Sequence, residues 1–316
     1  MSDVFLDHLS YALGQEVHSV EEAAAAGRLL SPAPALKEAG FQRHHVCPAG
    51  TTAYDLAKRA VQGLQDRLGD VGAIIYSTCL PVNGSVGDAG TYARTRDVKH
   101  LMDFPASHLQ ADFRLDRAIV IGLNQQACTG LLGAMRLARM LLLTEPEFGR
   151  VLCLTADRFP GDALYEQSYN LISDGAAACI VSREPRGYRM LACHGITNGA
   201  LARATDDEVV GSFFTYTHRV IQETLARAGV TIRDVAWVIP QNTNVKAWQI
   251  LARLLCIEFE RVYFKSMERI AHLVSGDNII NLKSLEDEGR LRPGDRLLLP
   301  MAGYGMNWQC VLLERI

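Results

Sequence analysis

Residues 69–79, GDVGAIIYSTC, join an acidic start to an apolar run and a polar end. An uninterrupted run of β-branched and aromatic residues predicts a strand that is buried on both faces. The same order returns much later in the chain, in RDVAWVIPQN at residues 233–242. A helical pattern of apolar residues precedes each stretch, at residues 54–68 and 213–228. The sequence therefore predicts one helix–strand unit that occurs twice.

The rest of the chain continues the repeat. A helix predicted from Cys128 to Leu143 corresponds to one predicted from Asp277 to Asp287. Strands that alternate with helices favour an α/β fold with mostly parallel sheets that are covered on both faces. We expect two stacked halves, residues 1–185 and residues 186–316, related by a pseudo-twofold axis. Two strands close each half, at residues 149–157 and 175–184 in the first and 294–303 and 307–316 in the second.

The composition excludes several classes of protein. The chain has 316 residues, of which 48% are hydrophobic and 21% charged, and its formal net charge is −3. These values are typical of a globular protein, and the interspersed charges form no basic patch for nucleic acid or an anionic membrane. No apolar stretch approaches the roughly 18 residues of a membrane-spanning helix. We expect a cytoplasmic protein that binds neither nucleic acid nor a membrane.

The cysteines are expected to be reduced. The first residues do not form a signal peptide, and several cysteines lie in apolar strand-like runs, where a free thiol behaves as a small hydrophobe. There is no C-x-x-C pair, so we expect no structural zinc and no other metal. The eight residues are Cys47, Cys79, Cys128, Cys153, Cys179, Cys193, Cys256 and Cys310.

Cys128 differs from the others because it lies between a predicted strand, residues 117–122, and a predicted helix. At a helix start, unpaired N–H groups and the helix dipole stabilise a thiolate, so we expect the pKa of this thiol to be lowered. The small neighbours Ala127, Thr129 and Gly130 leave room for an acyl chain. From these residues alone, a nucleophile and a buried structural thiol are both open.

Three stretches together resemble the ketoacyl-ACP synthase III group of the thiolase-fold condensing enzymes. NQQACTGLLGAMRLARMLL at residues 124–142 is similar to the nucleophile segment, and SDGAAACIVS at residues 173–182 resembles the G-D-G-A-x-A turn. GYGMNWQCVLLE at residues 303–314 resembles the glycine-rich closing segment. The resemblance implies a thiolase-like fold, with duplicated α/β halves stacked as a five-layer αβαβα sandwich.

The resemblance also implies a chemistry. Cys128 would take an acyl group from a coenzyme A or acyl-carrier-protein thioester, and the N–H groups of Cys128 and Gly305 would hold the oxyanion. The thioester is a substrate, and no other cofactor is expected. Members of this group are dimers, so we expect a homodimer, with residues 104–115 as a candidate contact.

The family pattern changes at two places. Where decarboxylating members carry a histidine, in the turn from Pro240 to Asn244, this chain has Gln241, which cannot act as a base. Asn244 keeps the asparagine of that turn and is a candidate positioning residue. At the predicted start of the second-half helix, His272 is followed five residues later by Asp277. This spacing resembles related acyltransferases of secondary metabolism that use Cys-His-Asp.

Three functions follow as hypotheses. The first is an acyltransferase in which Cys128 carries the acyl group and His272 with Asp277 activates an oxygen, nitrogen or carbon nucleophile of a small-molecule acceptor. The second is a decarboxylative ketoacyl-ACP synthase III that forms a carbon–carbon bond. The third is a non-catalytic partner subunit of a ketosynthase heterodimer. The family's early tryptophan, which contacts coenzyme A, is absent here, so an acyl carrier protein is at least as good a donor.

Overall fold

The computed structural model describes residues 3–168 and 170–316. Its strands are β1 (Phe5–Leu13), β2 (Glu16–Ser19), β3 (Arg43–Val46), β4 (Val71–Ser77), β5 (Ile119–Leu123), β6 (Arg150–Asp157), β7 (Glu166–Gln167), β8 (Asn170–Leu171), β9 (Gly175–Ser182), β10 (Tyr188–Thr197), β11 (Trp237–Val238), β12 (Arg296–Gly303) and β13 (Asn307–Arg315). Its α-helices are α1 (Val20–Ala25), α2 (Ala33–Glu38), α3 (Ala53–Gln62), α4 (Ala89–Thr95), α5 (Pro105–Asp112), α6 (Gly130–Thr144), α7 (Asp206–Ala228), α8 (Val245–Leu255), α9 (Met267–Ile270) and α10 (Asp277–Asp287).

The main sheet shows the duplication in its strand order, β11-β12-β13-β10-β1-β9-β6-β4-β5. In the first half, β1, β4, β5 and β6 run in one direction and β9 runs against them. The second half repeats this arrangement, with β10, β11 and β12 in one direction and β13 against them. Most strands within each half therefore run in one direction, as expected. One reversed strand in each half, β9 or β13, makes the sheet mixed. The two halves join where β1 pairs with β10.

Five layers follow from the positions of three apolar cores. One core lies between α3 with α5 and the outer face of the first sheet, and another between α7 with α8 and the outer face of the second. The third core contains residues of α6 and α10 together with the inner faces of both sheets. The predicted αβαβα sandwich is thus the observed arrangement. The predicted boundary between residues 185 and 186, which stays a prediction, falls in the connection from β9 to β10.

The central position of α6 explains its unusual composition. Residues Ala127–Thr144 are long and apolar enough to cross a membrane, and 61% of this segment is buried inside the protein. The expectation that no stretch reaches this length was therefore wrong. A helix that is covered by sheets on two sides needs apolar residues around most of its surface. The segment is the central core helix of this fold.

Local signals set the helix ends. Thr52 and Asp55 form a reciprocal capping box at the start of α3. Thr205 and Glu208 do the same for α7, which therefore begins earlier than the apolar pattern predicted. This helix ends at Ala228 and is capped by Gly229, whose φ of +66° suits glycine.

Candidate active site

Cys128 lies in a tight turn that opens α6. We call the 3₁₀ turn Ala127–Thr129 the nucleophile turn. Ala127 has a φ of +43°, in the left-handed region that residues with a β-carbon rarely adopt. The turn follows β5 and gives the side chain of Cys128 a place at the edge of a cavity, where it is 5% exposed. The sequence prediction of a cysteine between a strand and a helix is confirmed.

The cavity has a volume of about 360 Å³ and is mainly apolar. Cys128, Gln241 and His272 are among the residues that line it. Its walls come from two helices of the second half, through Val209, Val210, Phe213 and Phe214 of α7 and Ala247 and Ile250 of α8. Such a space suits an acyl chain or the arm of a carrier thioester.

His272 and Asp277 form a buried pair. The Nδ1 atom of His272 lies 2.5 Å from Oδ2 of Asp277, and the exposed fractions of the two residues are 5% and 0%. Asp277 also accepts hydrogen bonds from the N–H groups of Asn242 and Leu273, at 2.7 and 2.6 Å. An ionised carboxylate can only accept, so Nδ1 carries the proton and Nε2 of a neutral ring is free to take one.

The backbone also fixes His272 in place. Its N–H donates to the carbonyl of Leu171, and its own carbonyl accepts from the N–H of Ser173. Both partners belong to the first half of the chain, close to Ile172, which packs against Cys128. The structure therefore brings His272, Asp277 and Cys128 to one site, as the spacing predicted.

Gln241 is held against the closing strand. Its Oε1 accepts a hydrogen bond from the N–H of Ala302 at 2.6 Å, and its side chain lines the cavity. Because the oxygen is occupied, the amide nitrogen is the part of the group left to face a ligand. A glutamine held in this way can donate a hydrogen bond, and it cannot accept a proton from an acceptor.

Asn244 lines the same cavity, and its carbonyl has a structural task. Its Oδ1 accepts the N–H of Lys246 and caps α8, while its own N–H donates to Asn170. Lys246, which also lines the cavity, is paired with Glu38. The predicted positioning role of Asn244 thus stays a prediction, and the observed role is that of a helix cap.

The end of β12 and the loop that follows it reach the nucleophile turn. A β-carbon added to Gly303 would lie 2.8 Å from the backbone nitrogen of Cys128. Gly303 and Tyr304 line the cavity. A β-carbon on Gly305 would meet the side chain of Asn307. The predicted role of the Gly305 N–H in the oxyanion site stays a prediction.

The turn after β12 offers backbone N–H groups close to the nucleophile turn. Within the described residues, the N–H groups of Cys128, Tyr304 and Gly305 donate to no protein acceptor. Free N–H groups beside a reacting carbonyl are the donors that an oxyanion needs.

The pKa of Cys128 contradicts the expectation from its helix. A hydrogen bond with the Cys79 thiol and burial raise the pKa of the Cys128 thiol well above its ordinary value. The carboxylates of Asp157 and Asp277 act in the same direction. The prediction of a lowered pKa was therefore wrong for the resting site, because a thiolate would form in apolar surroundings near two anions. Cys128 consequently needs a base.

Asp157 is a buried carboxylate that the sequence did not single out. It ends β6 and accepts hydrogen bonds from the hydroxyl of Thr78 and from the N–H groups of Cys79 and Leu80. Burial raises its pKa. These bonds fix the backbone of Cys79, whose thiol packs beside Cys128. Cys79 thus contributes to the site.

The described residues contain no group of three or more histidine, cysteine, aspartate or glutamate side chains placed to hold a metal ion. Cys128 packs in a cluster of hydrophobic side chains that includes Ile172, Val274 and Phe159. The chemistry that this arrangement can support is acid–base and nucleophilic.

Comparison with known proteins identifies the family. The family model described as 3-oxoacyl-[acyl-carrier-protein (ACP)] synthase III matches residues 124–199, and the model of its C-terminal part matches residues 225–315. Together they cover more than half of the chain. The chain belongs to the 3-oxoacyl-ACP synthase III family. The resemblance inferred from the three motifs is thereby confirmed, and with it an enzyme family that transfers acyl groups.

Individual relatives of the synthase III family agree. The β-ketoacyl-[acyl-carrier-protein] synthase III of Nitratidesulfovibrio vulgaris strain Miyazaki F is 26% identical over 306 residues, 87% of each chain. The acyltransferase ChlB3 has a TM-score of 0.83 at 22% identity and covers 99% of this chain and 98% of its own. The 3-oxoacyl-[acyl-carrier-protein] synthase III from Aquifex aeolicus VF5 has a TM-score of 0.78 at 20% identity. The match covers 98% of this chain and 99% of that chain. At these identities the solved structures establish the thiolase-like fold.

Proposed function

We propose that this protein is an acyltransferase that carries the acyl group on Cys128 and passes it to an oxygen, nitrogen or carbon nucleophile of a small molecule. The observation that carries the proposal is the buried His272–Asp277 pair beside Cys128 in one apolar cavity. The donor is an acyl-carrier-protein or coenzyme A thioester, and no other cofactor is required. We also propose a cytoplasmic protein of secondary metabolism, on its composition and its resemblance to Cys-His-Asp acyltransferases.

The first half-reaction loads the enzyme. Nε2 of His272 takes the proton of the Cys128 thiol, whose raised pKa makes this transfer necessary. The thiolate attacks the carbonyl carbon of the donor, and the N–H groups of Cys128 and Gly305 hold the resulting oxyanion. The bond to the carrier thiol then breaks, and His272 returns the proton to that leaving sulfur. The product is an acyl-Cys128 thioester.

The second half-reaction transfers the acyl group. His272 removes a proton from the acceptor, while Asp277 stabilises the imidazolium that forms. The acceptor attacks the acyl-Cys128 carbonyl and the same two N–H groups hold the oxyanion. The carbon–sulfur bond breaks, and the proton on His272 returns to Cys128. The enzyme is then restored.

A decarboxylative synthase is the second candidate, favoured by the names of the relatives. The relatives are named β-ketoacyl-[acyl-carrier-protein] synthase III. Against it stands Gln241, whose oxygen is bound to Ala302 at the position where decarboxylating members have histidine. Gln241 supplies amide N–H donors and neither a base nor a charge, so the observation supports transfer over decarboxylation.

A homodimer is the assembly that we propose. Among the described residues, strand β5 ends the main sheet and has no partner on its outer edge. Its apolar side chains Ile119 and Val120 are 49% and 41% exposed, and nearby Phe104 is 52% exposed. An exposed apolar edge strand is a surface on which a second copy can pair. The predicted contact segment, residues 104–115, includes this phenylalanine.

Intact-mass spectrometry tests the proposal. The protein is mixed with a panel of acyl-carrier-protein and coenzyme A thioesters, with Cys128→Ala as the matched control. We expect a mass increase equal to one acyl group in the wild type alone. No adduct with any donor would contradict both enzymatic functions and favour the non-catalytic partner subunit.

A second step separates the two enzymatic candidates. The loaded enzyme is given either hydroxyl and amine acceptors or a malonyl thioester. Loss of the adduct to an ester or amide supports acyl transfer. Release of carbon dioxide with a β-ketoacyl product would instead establish the decarboxylative reaction.

A further inference from the structure

The second half contains a turn that mirrors the nucleophile turn. The 3₁₀ turn Val274–Gly276, which we call the mirror turn, opens α10 as the nucleophile turn opens α6. Val274 has a φ of +45°, close to the +43° of Ala127. Ser275 thus occupies the place that Cys128 has in the first half. Its side chain is 1% exposed.

The two turns are joined by one hydrogen bond. The hydroxyl of Ser275 donates to the carbonyl oxygen of Ala127 at 2.9 Å, across 148 residues of sequence. That carbonyl belongs to the peptide unit whose nitrogen is the N–H of Cys128. The N–H of Gly130 donates to the same oxygen. The peptide unit that carries the Cys128 N–H is therefore fixed by two hydrogen bonds to its carbonyl oxygen.

Two physical effects follow for the oxyanion site. The bond from Ser275 fixes the orientation of a peptide next to Ala127, whose left-handed conformation would otherwise relax. An amide whose carbonyl accepts hydrogen bonds is also polarised, so its N–H becomes a stronger donor. Both effects act on the N–H that faces the reacting carbonyl, and neither acts on the sulfur directly.

We propose that Ser275 is a positioning residue for the oxyanion site, acting through the Ala127–Cys128 peptide. The inference rests on the proposed acyl-Cys128 chemistry and adds to it a residue from the opposite half. The duplicated fold places a hydroxyl where the first half has its nucleophile, and this hydroxyl orients the donor beside that nucleophile.

Two reactions of Cys128 separate this role from a general structural one. Acylation by a thioester passes through an oxyanion, whereas alkylation by iodoacetamide displaces iodide and forms no oxyanion at the attacked carbon. Both rates are measured for wild type and Ser275→Ala, at one pH, by mass spectrometry of the peptide that contains Cys128. We expect acylation to slow roughly tenfold, less than the 10²–10³-fold loss typical of removing a donor itself. Alkylation should stay within about twofold of wild type, since the proton transfer to His272 is unchanged.

Ser77→Ala is the matched control. Ser77 is also buried, donates to the carbonyl of Leu154 at 3.0 Å, and lies beside Gly130 as Ser275 does. Its loss removes a buried serine hydrogen bond near α6 without touching the Ala127 carbonyl. We expect wild-type rates in both reactions for this variant.

The outcomes are distinct. Equal slowing of acylation and alkylation in Ser275→Ala, or acylation at the wild-type rate, would overturn the inference. A wild-type enzyme that alkylates normally and accepts no acyl group would instead overturn the proposed function, and the inference with it. Selective slowing of acylation in Ser275→Ala alone supports it.

Discussion

The carboxylate of Asp277 is completely buried and is held by one ring nitrogen and two backbone N–H groups. A buried carboxylate that accepts three hydrogen bonds cannot rotate freely. It therefore fixes both the orientation and the tautomer of His272. One side chain thus decides which ring nitrogen faces the cavity.

Changing Asp277 to asparagine should break this control. The amide keeps the shape, but its NH₂ group cannot accept from Nδ1 or from the backbone donors. We expect the transfer of acyl from Cys128 to an acceptor to slow by roughly 10²–10⁴-fold. Single-turnover kinetics with preloaded enzyme measure this rate. Asp287→Asn, an exposed carboxylate of the same helix, is the control, and equal rates in the two variants would refute the assignment.

The raised pKa of Cys128 predicts an unusual pH profile. A thiol whose pKa is raised stays protonated at pH values where a free cysteine already ionises, so its reactivity rises only at higher pH. We expect the alkylation rate of Cys128 to keep increasing above pH of about 9. Cys79→Ala removes the hydrogen bond that is the main cause of the raised pKa, so the alkylation profile of Cys128 should move to lower pH in this variant. A plateau below pH of about 8 in the wild type would contradict this account.

At the scale of the elements, the nucleophile turn and the closing loop form one unit, because Gly303 lies directly against the backbone of Cys128. Two hydrogen bonds strengthen this contact. Asn307 donates to the carbonyl of Gln125, and Gln309 donates to the side chain of Gln126. The end of the chain thus supports the start of α6. The oxyanion site belongs to both elements.

Gly303→Ala should disrupt that unit. The new β-carbon would lie 2.8 Å from the nitrogen of Cys128 and 3.1 Å from that of Thr129, so a backbone must shift. We expect acylation to fall by at least about 10²-fold, the loss typical of a missing oxyanion donor. Gly211→Ala in α7 meets nothing within 4 Å and should leave acylation unchanged. The two variants are compared by intact mass over time, and normal loading of Gly303→Ala would exclude this contact from the site.

Strands and helices with a continuous apolar pattern could be predicted from the sequence. Strands whose existence or length depends on pairing with a neighbouring strand could not. The run at residues 71–77 and the closing strands were predicted because buried strands leave a clear signal. Strand β1 was missed because Asp7 and His8 interrupt its pattern at a bulge. Strand β11 is shorter than its apolar run, since only Trp237 and Val238 pair with β12.

The same division holds for the site. Cys128, His272 and Asp277 were found from spacing, because the duplication relates the two helix starts. The close approach of Gly303 to the backbone of Cys128 depends on how the two halves pack, and no sequence pattern encodes it. The direction of the Cys128 pKa depended on burial and on Cys79, which is distant in sequence. Such properties arise only after packing.

At the scale of the whole molecule, the outer edge of β5 is the surface that most resembles an interface. It carries exposed apolar side chains and a row of backbone groups that no described strand pairs with. Edge strands in monomers are usually protected by charges or by a cover. The described part of this strand, Ile119–Leu123, contains no charged residue.

A charge on this edge should separate the subunits. Val120→Lys places an ammonium group on the exposed edge, where pairing with a second copy would bury it at a cost of several kcal/mol. We expect a dimer for the wild type and a monomer for the variant in light scattering after size exclusion. Leu30→Lys changes a side chain that is 70% exposed elsewhere and should leave the dimer intact. A monomeric wild type would refute the proposed assembly.

The central core has a consequence for how the protein unfolds. Within the described residues, twelve of its buried members come from the second half, and each contributes roughly 1.5–3 kcal/mol through burial. Their sum exceeds the 5–15 kcal/mol by which a whole domain is typically stable. We therefore expect that neither half keeps its structure once the other is lost, and that denaturation is a single cooperative event. All three tryptophans, Trp237, Trp248 and Trp308, lie in the second half, so their fluorescence and the circular dichroism of the whole chain should change at the same denaturant concentration.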